Sequence, residues 1–339
     1  MNRENSSNNP AVGIIVPIYN TAKYIERCLK SILNNTYSNI KVFCIDDGSK
    51  DESPEIVEKI AKNDNRVILI RQENSGVSAA RNRGLESAFE ENCEVIGFVD
   101  SDDWIHPQYI EILLKGLLCG CDISICEYMN VYEYIDNFEL VNSPLIVNLD
   151  FKHMDQNKWV KSSLTGRLYK STKINKTRFV YGIKNTEDGL FNLMVLGRNS
   201  DIKICYTFSK LYFYFQRQDS AVHILKGKNF IPAVEKSLEF LKSTDCTQYA
   251  RLLYINEILK NILCARYLSK FDENSPKTSL IYKTLLKETW KIVNKDKIKF
   301  KGRFIFRLFS AFPSLYRLFR IATDRTMLDW EKAQKKKNR

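Results

Sequence analysis

Long apolar runs are missing from this sequence of 339 residues. No stretch reaches the ~18 consecutive apolar residues of a membrane-spanning helix, so none is expected. The first ten residues, Met1 to Pro10, are polar and rich in Asn, without the basic-then-apolar order of a signal peptide. They are expected to be a disordered lead-in to a cytosolic protein. A glycine-rich loop is missing after the first apolar run, where Pro17-Ile18-Tyr19-Asn20 stands instead. This speaks against a dinucleotide oxidoreductase and against a nucleotidyltransferase, both of which would cradle phosphate there. Zinc spacing is missing as well. Cys119, Cys121 and Cys126 form a loose group that fits no zinc pattern, while Cys28, Cys44, Cys205 and Cys264 lie in apolar or mixed segments as small core residues. A cytosolic setting argues against disulfides. No internal repeat is present.

The apolar and charged fractions, 44% and 27%, are those of an ordinary globular protein. The net charge of +12 is unevenly spread. Residues 1–120 hold 13 Lys/Arg against 18 Asp/Glu, whereas residues 291–339 hold 15 against 4. The basic end therefore needs its own explanation.

Strand and helix patterns alternate through the first hundred or so residues. Val12 to Ile18 reads as a buried strand, and Ile25, Cys28, Leu29, Ile32 and Leu33 follow at helical spacing, with Asn20 or Thr21 placed to cap. Ile40 to Ile45 is a second strand, and Ser53-Pro54 opens a second helix. Val67 to Ile70 is a third strand, Ser78 is placed to cap a helix reaching Glu90, Val95 to Val99 is a fourth strand, and a helix follows Pro107. Such alternation predicts an α/β fold with a Rossmann-like, mostly parallel sheet flanked by helices. Residues 127–150 read as strand-rich or irregular, and 205–216 as a further strand. The spacing from Pro232 to Trp290 is helical, with a break near Asp272–Pro276.

Ligands of such sheets bind at the carboxyl ends of the strands. There the sequence places Pro17-Ile18-Tyr19-Asn20, Asp46-Asp47-Gly48-Ser49 and Asp100-Ser101-Asp102-Asp103. Five carboxylates on one edge repel unless a cation sits among them, and a hard divalent ion, Mn²⁺ or Mg²⁺, suits oxygen ligands together with substrate phosphates. Taken singly, each cluster also reads as ordinary loop and cap chemistry.

Four segments in order carry a resemblance: Ile14-Ile15-Val16-Pro17-Ile18-Tyr19-Asn20, Ile45-Asp46-Asp47-Gly48-Ser49, Asn74-Ser75-Gly76-Val77-Ser78-Ala79-Ala80-Arg81-Asn82 and Phe98-Val99-Asp100-Ser101-Asp102-Asp103. Over residues 11–108 the chain resembles the family 2 glycosyltransferases, which have the GT-A fold and invert the anomeric centre. The likeness weakens through 165–223 and stops before the C-terminal end. It implies that Pro17 and Tyr19 line the nucleotide pocket and that Asp46 accepts hydrogen bonds from base or ribose. Arg81 faces the donor, where a guanidinium fork suits phosphate oxygens. Asp100 and Asp102 hold ribose and metal-diphosphate, with Asp102 or Asp103 nearest the metal. Asp47 and Ser49 shape the turn.

In Asn185-Thr186-Glu187-Asp188 the resemblance makes Asp188 the base that takes the acceptor proton, with Glu187 next to it. A pair of acids at a helix N-terminus would also arise simply from the helix dipole. The segment Gly166-Arg167-Leu168-Tyr169-Lys170 resembles the stretch that precedes this pair. The run Tyr214-Phe215-Gln216-Arg217, with Ser220, resembles a closing motif near the donor diphosphate, in an unusual order around Arg217. His223 would be a further metal ligand. The family implies a nucleotide-sugar donor, commonly UDP-linked, so a UDP-hexose or UDP-N-acetylhexosamine is expected. The acceptor is expected to be a glycan on a lipid carrier in surface polysaccharide synthesis.

The alternatives are a non-catalytic sugar-nucleotide or membrane scaffold and another metal-dependent nucleotide-using transferase. A scaffold could dispense with Asp188 and with the Asp100–Asp102 pair, which are present. The expected organisation is a lead-in over 1–10, a GT-A catalytic domain over 11–225 and a helical extension over 226–339. Within that extension, 291–325 interleaves Lys/Arg with Phe, Leu and Tyr. This pattern predicts a helix lying on the anionic inner leaflet, so a peripheral protein on the cytoplasmic face of the membrane. A helical subdomain packed on the catalytic domain is the plainer alternative. Nucleic acid is not an expected partner, because the acidic N-terminal region would repel its backbone.

Overall fold

Val12–Ile18 forms strand β1, and all seven of its residues are buried. The computed structural model describes residues 9–149, 164–183, 186–199, 201–217 and 231–242, with 285 and 287. After β1 come helix α1 (Ile25–Leu33), β2 (Ile40–Asp46), α2 (Ser53–Ala61), β3 (Val67–Arg71), α3 (Val77–Glu90), β4 (Val95–Phe98), β5 (Trp104–Ile105) and α4 (Tyr109–Leu118). The chain continues with β6 (Ile123–Val131), β7 (Ile146–Leu149), β8 (Arg167–Lys170), α5 (Ser171–Ile174), α6 (Glu187–Arg198), β9 (Ile204–Phe215) and α7 (Ile231–Lys242).

The sheet runs β3-β2-β1-β4-β8-β6-β9-β5, with β7 also on β9. Its first four strands are all parallel. Beyond β4 the pairs are antiparallel except β6 with β9. The chain steps outward from β1 through β2 to β3, then returns to the other side of β1 as β4. That reversal opens a crevice at the carboxyl ends of β1 and β4, the place where such sheets take ligands. The register sets Ile18 beside Asp46 and Ile15 beside Phe98, so the three polar strand ends converge.

Helix α1 buries one apolar side, whereas α6 is buried all round from Gly189 to Gly197. The buried side of α1 consists of Ile25, Cys28, Leu29 and Ile32, at helical spacing. Helix α3 lies close enough that Gly84 touches β1: a Cβ there would stand 2.4 Å from Cγ2 of Ile15. Gly76 precedes α3 at φ 88°, a left-handed conformation that glycine adopts without strain.

Three local expectations are corrected. Asn20 and Thr21 do not cap α1; they lie in a preceding turn, with Thr21 O accepting from the Tyr24 and Ile25 amides, and α1 starts after Tyr24. Ser78 is inside α3 rather than at its cap, because Gly76 takes the cap position. Residues 9 and 10 of the expected lead-in are tied to the fold: Tyr37 Oη donates to Pro10 O at 2.6 Å and Asn39 Nδ2 to Asn9 O at 2.8 Å.

The chain divides into two compact units, one holding residues up to 182 with 187–217, the other 183–186 with everything from 218. In the second, α7 buries Ala233, Val234 and Leu238. The expected boundary at 225, His223, the expected break near 272–276 and the basic segment 291–325 lie outside the described residues. Among those described, no helix is long and apolar enough to cross a membrane.

Candidate active site

The loops after β1 and β2 are stitched together by polar side chains. Asn20 N–H donates to Ser49 Oγ at 3.1 Å and Lys50 N–H to Asn20 Oδ1 at 2.8 Å. Asp46, nearly buried at the end of β2, accepts from Ser49 N–H at 3.2 Å. Asp47 accepts from Gln72 Nε2 at 2.8 Å and from the Ser75 and Gly76 amides at 2.9 and 2.8 Å, which fixes the approach to α3. Pro17 is buried in β1, while Tyr19, just past its end, is 47% exposed. Tyr19 is thus an exposed aromatic at this edge.

Arg81, in α3, is almost wholly buried. Its Nη1 donates to Glu187 Oε1 at 2.9 Å and Asp188 Oδ1 at 2.6 Å, and its Nη2 donates to Asp100 Oδ1 at 3.0 Å. The expected turn of Arg81 towards donor phosphate is therefore corrected: its side chain is 4% exposed and its fork is committed to three carboxylates. It joins the β4 end to the start of α6.

That start is itself held from below. Phe179 stacks on Phe191 of α6 with centroids 4.2 Å apart, and both meet Phe98 of β4 edge-on. Asn82 grips the Phe179 backbone at both amide and carbonyl, at 2.7 and 2.9 Å. Tyr169 Oη donates to Asn192 Oδ1 at 2.6 Å. Asp188 and Glu187 thus rest on a packed aromatic platform.

Three carboxylates share one guanidinium, so their charge is under-compensated. Burial pushes the Asp188 carboxyl well above the usual range; Arg81 pulls it down, and Glu187 and Asp100 push it up again. Burial works against the Arg81 charge, but Asp188, Asp100 and Glu187 outweigh it and raise its pKa. A carboxylate raised in this way, with 23% of its side chain open to solvent, suits a proton acceptor.

The Asp102 carboxylate is 19% exposed and lies 3.1 Å from Arg217 Nε. Burial, then Asp100, raises its pKa, and Arg217 opposes them. Arg27 Nη2 donates to the Asp102 carbonyl at 2.7 Å, while its guanidinium lies over Trp104 and Phe215 at 4.2 and 4.8 Å. Asp103 points the other way. It has no exposure, accepting from Tyr212 Oη at 2.7 Å and from Phe215 N–H at 2.8 Å. Asp103 is therefore corrected from candidate metal ligand to a staple between the β4 loop and β9. Tyr212 Oη also accepts from Asp100 N–H at 3.2 Å.

Asp100 and Asp102 are hard oxygen donors, both partly exposed at the switch point, and they fit a Mg²⁺ or Mn²⁺ that takes one or two protein carboxylates. Among the described residues no group of three His, Cys, Asp or Glu side chains could hold an ion unaided.

Arg27, Asn82, Phe179 and Tyr212 went unassigned in the sequence. Two of them carried a local signal: Asn82 closes the third resembling segment, and Tyr212 belongs to the alternating run that became β9.

A half-parallel sheet flanked by helices, with this reversal in strand order, is the fold of the GT-A glycosyltransferases. S. aureus TarS 1-349 in complex with UDP-GlcNAc shares it, with a TM-score of 0.58 at 17% identity over 86% of this chain and 93% of that one. So does the mannosyltransferase PcManGT of Pyrobaculum calidifontis in complex with GDP-Man and Mn²⁺, with a TM-score of 0.56 at 16% identity over 98% and 88%. In sequence, the putative glycosyltransferase EpsH of Bacillus subtilis is 31% identical over 273 residues, 75% of this chain and 76% of EpsH. Residues 13–177 match Glycosyl transferase family 2. The chain belongs to that family, and the protein is a glycosyltransferase.

Proposed function

We propose that the protein transfers a sugar from a nucleotide-diphospho-sugar to a hydroxyl of a glycan acceptor, with inversion at the anomeric carbon. The observation that carries this reading is the Arg81 bridge, which holds Asp188 and Asp100 on one guanidinium. A donor-side carboxylate and a base of raised pKa are thereby set in one frame. Asp188 takes the proton from the acceptor hydroxyl as its oxygen bonds to the anomeric carbon. The bond from that carbon to the diphosphate oxygen breaks on the opposite face, and the electron pair leaves with the nucleoside diphosphate. Glu187 is the second acid within reach of that role. Tyr19, Pro17 and Asp46 form the nucleotide side. Asp102, with Asp100, would hold Mn²⁺ or Mg²⁺, and a bound cation would neutralise charge developing on the diphosphate.

UDP-hexose or UDP-N-acetylhexosamine is the proposed donor. The UDP-GlcNAc bound by TarS supports this through a shared fold alone. A lipid-linked glycan in surface polysaccharide synthesis is the proposed acceptor. Support comes from the basic, aromatic run 291–325, which suits an anionic membrane surface on the cytoplasmic side. The test is nucleoside diphosphate release from a panel of nucleotide sugars with Mn²⁺ and, separately, with excess EDTA. One donor class should turn over with metal and stop with chelator. Undiminished release in EDTA would remove the metal from the scheme.

A further inference from the structure

Asp102 stands between two arginines that are held very differently. Arg27 is wedged among rings, with its guanidinium over Trp104 and Phe215 and its Nη2 on the Asp102 carbonyl. Arg217 follows the end of β9, where the backbone is fixed by Gln216 N–H donating to Val131 O at 2.8 Å. From there its side chain reaches the Asp102 carboxylate, Nε lying 3.1 Å from Oδ2, with the Tyr24 ring 5.7 Å from its guanidinium carbon. Arg27 therefore addresses the backbone of Asp102, and Arg217 addresses its carboxylate, the group that a cation would need.

We propose that Arg217 is the resident counter-ion of Asp102 and must leave that carboxylate before a divalent cation can take it, so that cation and nucleotide diphosphate bind cooperatively. The inference rests on the metal-assisted reading of Asp102. A guanidinium at 3.1 Å and a dication cannot share one carboxylate oxygen without strong repulsion between the two positive groups. The diphosphate resolves the conflict in two ways. It supplies oxygen ligands to the cation, and it gives the planar Arg217 fork anionic phosphate oxygens to pair with. Each ligand then raises the affinity for the other by the same factor, because coupling free energy is reciprocal.

The test uses the full chain and reads Mn²⁺ binding from the loss of the free-ion EPR signal, alone and with UDP, with GDP as a parallel series. Arg217→Met should bind Mn²⁺ alone about tenfold more tightly than wild type, within the usual range of coupling between two sites. Its gain on adding nucleotide should shrink accordingly. Arg217→Lys keeps the charge and should stay near wild type. Equal Mn²⁺ affinities for Arg217→Met and wild type, with Asp102→Asn abolishing binding, would overturn the inference and leave the metal site standing. Undiminished Mn²⁺ binding by Asp102→Asn would overturn the metal reading and the inference with it.

Discussion

Replacing Arg81 with methionine keeps the length of the stem and removes the charge on which three carboxylates depend. Each hydrogen bond to a charged partner contributes about 1.5–3 kcal/mol, and Arg81 makes such bonds to Glu187, Asp188 and Asp100. Their sum is an upper bound, because the three side chains left behind are 13, 23 and 28% exposed and water recovers part of the loss. Removing one partner of a buried ion pair costs about 3–5 kcal/mol, and that is the expected loss at pH 7.5. For a unit of this size it lowers the melting temperature by roughly 6–20 °C. The loss should depend on pH. Without Arg81 the folded-state pKa of Asp188, already raised by burial, rises further above its unfolded value. The folded state then holds more protons than the unfolded one, so stability falls as pH rises through that window and returns as pH falls. Thermal melts of wild type and Arg81→Met at pH 5 and 7.5 measure both effects, and the gap should narrow at pH 5. Arg81→Lys, a point charge without the fork, should fall between them. A variant melting within about 2 °C of wild type at pH 7.5, or a gap as wide at pH 5, would refute the charge-hub argument.

Asp188→Asn should lower kcat by about 10² to 10⁴ while nucleotide affinity, read by calorimetry, stays unchanged; a wild-type kcat would move the base to Glu187. Tyr212→Phe strips a donor from the buried Asp103 carboxylate and should cost about 1–3 kcal/mol in urea unfolding. The deficit should grow from pH 5 to pH 8, since burial already raises the Asp103 pKa and losing the hydroxyl raises it further. Gly84→Ala drives a methyl to 2.4 Å from Ile15 Cγ2 and should lose about 1–3 kcal/mol by overpacking; a neutral melt would mean that α3 shifts freely on β1.

The parts of this site that could be read from the sequence are those carried by local pattern. Seven consecutive apolar residues announce β1, helical spacing announces α1, and the polar clusters follow the strands at once. The parallel order of β3, β2, β1 and β4 then brings the clusters together without further information. What could not be read is the direction in which a polar side chain points when its partner lies a hundred residues away. Asp102 and Asp103 are neighbours in one acidic run, yet one faces the crevice and the other the core. The difference is made by Tyr212 and the Phe215 amide, 109 and 112 residues later, which only the pairing of β9 with β5 brings near. Arg81 turns inward for the same reason, with Glu187 and Asp188 lying 106 and 107 residues beyond it. A motif of charged residues therefore marks where a site lies, and the long-range partners decide which of its charges meet the substrate. For this chain that reduces the acidic run to two candidate ligands, Asp100 and Asp102, and makes Asp103 and Arg81 the frame that aims them.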